Sequence, residues 1–567
     1  MKKLSFTVVS ILYMAHLFAQ APGWAWTKSI GGNGNDVPLS LKCDLQGNIY
    51  SCGSFQGTVD FDPGAGIFNL TSVGDYDIFI LKLDSGGHLC WAKAMGGTAF
   101  DRCFSLALDA SGNVYSAGQF SGTADMDPGP GVFNLTGGGS FISKLDSSGN
   151  FIWAKAITGS GGYSITLDAA LNIYAAGYFS ETTDFDPGAG IFNLNATGST
   201  DIFILKLDSS GNFIWARAMG GGGGDVAWTI TIDTLGNGDV YTTGIFMDTV
   251  DFDPGPGTFD IISGGNSSVF ISKLSSAGDF IWAKAIGGAP LNFSGGLSLA
   301  VSQTGNGSVY TTGFFSGVND FDPGIGVYNL TSAGTNDIFI SKLDSSGSFI
   351  WAQQLGGTHN DVALALTLDA SDNIYTSGFF NDTADFDPGV AVFNLFSAGD
   401  RDIFVSKLDS AGNFISARSV GGLLEDDGRS ITLDPNNNIV VAGDFASPVI
   451  SFDTSALVNS GNGTSDSFIA KLNTELITAL ENPGNSNGDI SLFPNPAGAE
   501  VTIRFAKEVL GTIQLINVMG KVLVQEQIQS SICKINIGDM PGGIYFIHIT
   551  DHNGHKIPTK KIIKLYH

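Results

Sequence analysis

The sequence predicts an all-β protein: a seven-bladed β-propeller of four-stranded blades, with an N-terminal strand closing the last blade, followed by a small C-terminal β-sandwich. Three observations lead there. The phrase Asp-x-Asp-Pro-Gly starts at Asp60, Asp125, Asp184, Asp251, Asp320 and Asp385, with a decayed copy at Ser451-Phe452-Asp453, so one supersecondary unit recurs every 59 to 69 residues. The chain holds 77 glycines and only 14% charged residues, which suits turns and short strands and disfavours amphipathic helices. The last unit stops at "DSFIAKLNTEL" without a fourth strand, while an unpaired strand-like run, "WAWTKSIGG", stands at Trp24 to Gly32. The early strand can complete the last unit and remove two open sheet edges.

Residues 1–19 read as a secretory signal peptide: Lys2 and Lys3, an apolar stretch from Leu4 to Phe18, then the small residue Ala19. That stretch is too short for a stable span, and no later segment reads as a transmembrane helix of the mature chain. The propeller is expected over residues 22–476. A representative unit, Gly96 to Ala156, contains four strand-like runs, "FSLALD", "NVYSAGQF", "SFISKLD" and "NFIWAKA", designated A to D. "LDASGN" joins A to B and "LDSSGN" joins C to D. In both, Asp accepts backbone N–H groups while Gly or Asn takes positive φ, the chemistry of a tight hairpin. Units of this length with four antiparallel strands match propeller blades better than the shorter coils of a solenoid. Through "LDASGNVYSAG" and "DIFILKLDSSGNFIWARAMGG" the chain resembles the bacterial SBBP-type β-propeller repeat family, which implies the fold and leaves activity open.

A polar linker is expected over residues 477–489, and the composition then changes. Residues 490–567 carry eight Lys/Arg against five Asp/Glu, whereas the whole chain has a net charge of −27. This tail resembles the type A sorting domain of the type IX secretion system of Bacteroidota. The matching positions are Pro494, Asn495 and Pro496 in "LFPNP", Gly520 and Lys521 in "VMGK", Gly543 and Tyr545 in "MPGGIY", and Lys560 and Lys561 near the end. The resemblance implies passage across the inner membrane on the signal peptide, then recognition by type IX machinery at the outer membrane. It leaves the cargo secreted or attached to the outer cell surface.

An acidic propeller repels nucleic acid and anionic lipid, and it suits solubility or cation binding. The five cysteines fit no zinc spacing. Export permits disulfides, and the spacing offers Cys43 with Cys52 and Cys90 with Cys103. Only His88 and His359 fall within the propeller, on connections that open on opposite faces, so they build no shared metal site or triad. Trp26, Trp91, Trp153, Trp215, Trp282 and Trp351 recur at one place on strand D and are expected to pack adjacent sheets. Off-repeat residues are Glu425, Asp426, Asp427, Trp228 and Arg102, with Trp228 expected in the core.

The B–C insertion bearing Asp-x-Asp-Pro-Gly shares a face with the D–A connection, where an Asp recurs at positions 36, 101, 225, 361 and 426. One face is therefore expected to present a crown of carboxylates. Calcium is the candidate cofactor, with Asp60, Asp62, Asp125, Asp127, Asp184, Asp186, Asp251, Asp253, Asp320, Asp322, Asp385 and Asp387 as candidate ligands. Ordinary turn chemistry is the competing reading. The expectation for function is a secreted or surface scaffold that binds a glycan or protein ligand. A polysaccharide-active enzyme using carboxylates of that face, and a purely structural matrix protein, are the alternatives.

Overall fold

The computed structural model describes residues 23–288, 292–453, 455–461, 463–473, 490–493, 500–517, 521–538, 540, 543–551 and 556–564. The expected signal peptide (1–19) and linker (477–489) lie outside the described residues. The chain divides into two units, Met1–Ile477 and Thr478–His567.

Unit 1 is all-β, and its described residues form seven four-stranded antiparallel blades. In the first, A is Val37–Cys43, B is Ile49–Phe55, C is Asp77–Leu83 and D is Leu89–Gly97, hydrogen-bonded in the order A-B-C-D. Strands B and C are buried almost throughout, whereas the second residue of each D strand is exposed. The A strands contact one another in sequence, and the A strand of the seventh blade, Asp426–Leu433, contacts that of the first, so the ring is closed. Strand Trp24–Gly32 pairs antiparallel with Asp466–Leu472 from Trp24↔Leu472 to Ile30↔Ser467, supplying the missing D strand. Ring closure follows from the sequence reading, with one addition. Each Asp-x-Asp-Pro-Gly segment is itself a short hairpin, and in five of the six its first strand adds to the preceding blade's D strand, as in Asp60↔Gly31 and Asp125↔Gly96, while Thr182–Asp184 pairs with Asn193–Asn195 alone. The insertion thus ties neighbouring blades together along their outer edge.

The turns form as their residues dictate. Asp146 Oδ1 accepts the N–H groups of Ser148 at 2.8 Å and Asn150 at 2.9 Å, and Gly149 takes φ +77°. Every A strand carries a β-bulge at one register, between Cys103 and Ser105 in the second blade for example, which turns one extra side chain toward the ring axis.

Unit 2 is one antiparallel sheet whose long strand Glu500–Asn517 pairs over its first part with Ile490–Phe493 and over its second with Gly543–Asp551. Its pairing with Val522–Asn536 breaks between Arg504 and Val509. Val501 and Ile503 before that break share one buried cluster with Ile513 and Leu515 after it, so the sheet folds over on itself as a small sandwich.

Candidate ligand-binding face

The aspartates of the repeated phrase act first on the backbone. Asp60 Oδ1 accepts the N–H of Asp62 at 3.0 Å and of Phe68 at 2.8 Å, and Asp62 Oδ1 accepts Gly64 N–H at 2.8 Å. The same three bonds recur around Asp125 and Asp127, Asp184 and Asp186, Asp251 and Asp253, Asp320 and Asp322, and Asp385 and Asp387. The carboxylates therefore stand in pairs, one pair per hairpin. Among the described residues no three His, Cys, Asp or Glu side chains gather around a point that a metal ion could fill.

The D–A aspartates correct the expectation of a presented crown: Asp36, Asp101, Asp225, Asp361 and Asp426 are all buried. Asp101 Oδ2 accepts Gly97 N–H at 2.7 Å and Oδ1 accepts Ser121 N–H at 3.0 Å, clipping the ends of strands D and B together. Each of the five has a buried aspartate neighbour at the start of a C strand: Asp466, Asp77, Asp201, Asp337 and Asp402 respectively. In the second blade Ser140 and Ser160 occupy the two positions, 2.6 Å apart. Burial, helped by the neighbouring carboxylate, pushes Asp36 up to about 8, Asp225, Asp361 and Asp426 to about 7, and Asp101 to about 6.

The repeat breaks where the A strands meet the axis. Residues at the bulge register are Leu39, Phe104, Tyr163, Trp228, Leu297 and Leu364, with Arg429 in the longer bulge of the seventh blade. All seven remain part-exposed, so Trp228 belongs to the rim of the axial opening rather than to the core. The blades supply Leu three times and aromatic rings three times, and the rings are consecutive. Ring centroids of Phe104 and Tyr163 lie 4.7 Å apart, those of Tyr163 and Trp228 4.4 Å, and those of Tyr163 and Tyr178 5.6 Å. The series continues outward through Arg102, whose guanidinium lies 5.8 Å from the Phe104 ring and 4.8 Å from Phe100, to Tyr76, 5.4 Å from Phe100. Asn35 Nδ2 donates to Tyr76 Oη at 2.9 Å, and Gln119 Nε2 donates to Tyr178 Oη at 3.4 Å.

In blades six and seven, charges gather on the same side of the ring. Arg401 pairs with Glu425 at 3.0 Å and with Asp427 at 2.7 Å, while Arg429 meets Asp427 at 2.6 Å and Asp444 at 2.7 Å. The off-repeat residues Arg102, Trp228, Glu425 and Asp427 thus converge around one axial mouth, with Arg102 close enough to Arg429 for the two charges to oppose. Sequence reasoning found those four and missed Tyr76, Phe100, Tyr163 and Arg429. Their signal was departure from the repeat at a fixed register, legible only once the bulges were aligned.

The remaining candidates fall elsewhere. His88 pairs with Asp84 at 2.9 Å in a C–D hairpin, and His359 lies 3.8 Å from Asp382 on a D–A connection. The strand-D tryptophans pack as expected: Trp91 sits edge-on to Tyr50 at 6.2 Å and donates to Ser147 O of the next blade at 3.2 Å. The cysteine expectation fails. All five are free thiols, and the two that approach are Cys52 and Cys103, with Sγ atoms 2.7 Å apart between the first and second blades. Cys43 and Cys52 sit opposite other residues in their hairpin, and Cys90 is exposed while Cys103 is buried. Of the sorting positions, Tyr545 is in the buried cluster of unit 2, Gly543 opens its strand, Lys560 and Lys561 pair with Ile547 and Phe546, and Lys521 precedes Val522–Asn536. Pro494, Asn495, Pro496 and Gly520 lie outside the described residues.

Residues 491–564 match the secretion system C-terminal sorting domain family. The protein is therefore secreted or held at the outer cell surface, exported by type IX machinery. The chain is 23% identical over 557 residues to an uncharacterized WD repeat-containing protein of Acanthamoeba polyphaga mimivirus, covering 82% of this chain and 40% of that one. It is 32% identical over 114 residues to the regulatory protein FlaEY of Caulobacter vibrioides, covering 20% of this chain and 12% of the relative. The chain thus spans less than half the length of these curated relatives. Among solved structures, Sqt1 from Chaetomium thermophilum matches at 11% identity and a TM-score of 0.35, covering 86% of this chain and 97% of that chain. Among the described residues no helix is long and apolar enough to cross a membrane.

Proposed function

We propose that the propeller is a binding scaffold for an extracellular glycan or protein ligand, displayed or released after type IX export. The supporting observation is the convergence of off-repeat residues at the axial mouth of one face. A repeat built only for shape has no need to vary there, whereas a ligand site needs unlike groups at one place. The SBBP-type resemblance, and the Bacteroidota-type origin implied by the tail, belong to the same proposal. The enzymatic alternative rests on Glu425 and Asp427, and both are engaged by Arg401, with Asp427 held by Arg429 as well. Carboxylates committed to these ion pairs hold the rim together and are not free to reach a substrate, so the scaffold is the better reading.

The test is binding of the full-length protein to an array of glycans and matrix proteins, with calcium and with chelator. Saturable binding to one ligand class is expected. No saturable ligand in either condition overturns the scaffold reading and leaves the structural one. Binding lost in chelator assigns calcium to the paired carboxylates, from Asp60 and Asp62 through Asp385 and Asp387. Binding unchanged by chelator leaves those pairs as backbone acceptors.

A further inference from the structure

The axial arc also specifies a ligand, an inference that rests on the scaffold reading. Tyr76, Phe100, Phe104, Tyr163 and Trp228 form a run of part-exposed rings in mutual or Arg102-bridged contact. Such a run offers apolar faces along a path, flanked by the neutral amides of Asn35 and Gln119 and the hydroxyls of Tyr76 and Tyr178. Apolar faces beside neutral hydrogen-bonding groups match a sugar ring, which has C–H groups on its faces and hydroxyls at its edge.

Arg102 adds the charge. Its Nε donates to Ser54 Oγ at 3.3 Å, and it forms no ion pair among the described residues. Arg401, Arg418 and Arg429 each hold at least one carboxylate. Burial and the nearby Arg429 lower the Arg102 pKa, only partly opposed by Tyr76 and Asp444, and an incoming anion would offset that lowering. A part-buried, planar guanidinium held between two phenyl rings presents a fork suited to a carboxylate. The surrounding charge limits the choice further. The net charge of −27 repels a polyanion, while at about 8 Å of screening length in physiological salt a single carboxylate in contact with Arg102 escapes most of that field.

We propose that the axial arc binds a glycan with an isolated acidic sugar, the carboxylate on Arg102 and the sugar faces on the aromatic run. Calorimetric titration of the full-length protein should use two singly acidic probes, sialyllactose and a glucuronic-acid-capped cellobiose. Lactose and cellobiose serve as neutral partners and dextran sulfate as the polyanion. The expected result is saturable binding of at least one acidic probe, weaker binding of its neutral partner by roughly tenfold to a hundredfold, and no preference for dextran sulfate. Arg102→Gln should remove the discrimination between acidic and neutral probes. Arg102→Lys should restore it only in part, because the ammonium lacks the planar fork. Tyr163→Ala should weaken acidic and neutral probes together, by roughly threefold to tenfold. Circular dichroism and Tm of each variant separate loss of binding from loss of fold. The inference is overturned if the ligand found on the array binds Arg102→Gln and Tyr163→Ala as tightly as wild type, if the captured ligand is a protein, or if dextran sulfate binds best. Failure of the scaffold reading looks different: no probe and no array member saturates.

Discussion

The same side chain, aspartate, does opposite work at two places in most blades. In the C–D hairpin turns it is part-exposed, and the Asn150 backbone N–H holds Asp146 below the usual carboxylate range against slight burial. At the D–A connection it is buried, and its two oxygens satisfy N–H groups from separate strands. Asp101→Ala leaves the buried Gly97 N–H and the part-buried Ser121 N–H unpaired and is expected to destabilise the propeller by about 2 to 4 kcal/mol. Asp146→Ala, in an exposed turn, should change stability by under about 1 kcal/mol. Urea titration of both variants checks this, and equal losses would contradict it. The turn aspartates and the tryptophan series were legible because hairpin chemistry and a fixed register are local properties. Burial of the D–A aspartates was not, because it depends on the B strand some 20 residues onward. Cysteine partners failed for the same reason: Cys52 and Cys103 meet across blades. In an oxidising compartment this contact is expected to close. Thiol titration of the denatured, unreduced protein should then find three free thiols, from Cys43, Cys90 and Cys533, where five would show that the pair stays reduced.

At the scale of elements, the sequence presents the insertion as turn chemistry, and the structure makes it a strand pair, welded to the preceding blade in five of six copies. The approach is close: a Cβ at Gly97 would lie 2.0 Å from Thr123 O. Gly97→Val should therefore displace the hairpin, visible as faster amide hydrogen exchange at Thr123–Asp125 with the rest of the blade protected. Unchanged exchange there would refute the welding role. The closing strand was legible, since an orphan run at one end and a vacancy at the other can be matched by counting. The bulges were not, because the extra residue in each A strand leaves the sequence period nearly intact. With the bulges went the aromatic arc, which the sequence presents as scattered rings tens of residues apart.

For the whole molecule, buried carboxyls set the response to pH. Asp36, Asp225, Asp361 and Asp426 sit at about 7 to 8, and Asp77, Asp101 and Asp402 at about 6, all above the ordinary value. The folded chain therefore binds more protons than the unfolded one between roughly pH 4 and pH 8, and stability falls as pH rises through that window. Asp146 acts in the other direction: its pKa is lowered, so its contribution is lost in acid below the ordinary carboxylate value. Tm is expected to peak near pH 5, roughly, and to decline toward pH 8. A Tm that is flat or rises across that interval would show that the buried carboxyls keep no protons.

The strand that closes the ring has one more consequence, and it concerns time. Trp24 pairs with Leu472, so the segment made first must wait for the segment of unit 1 made last before the seventh blade can form. Contacts so distant along the chain are the slowest to form, because the loop they close must lose its freedom before any pairing rewards it. Until then both ends expose unpaired strand edges. The propeller is therefore a late folder by construction, with a long interval in which the chain is unfinished and its first and last strands wait for one another.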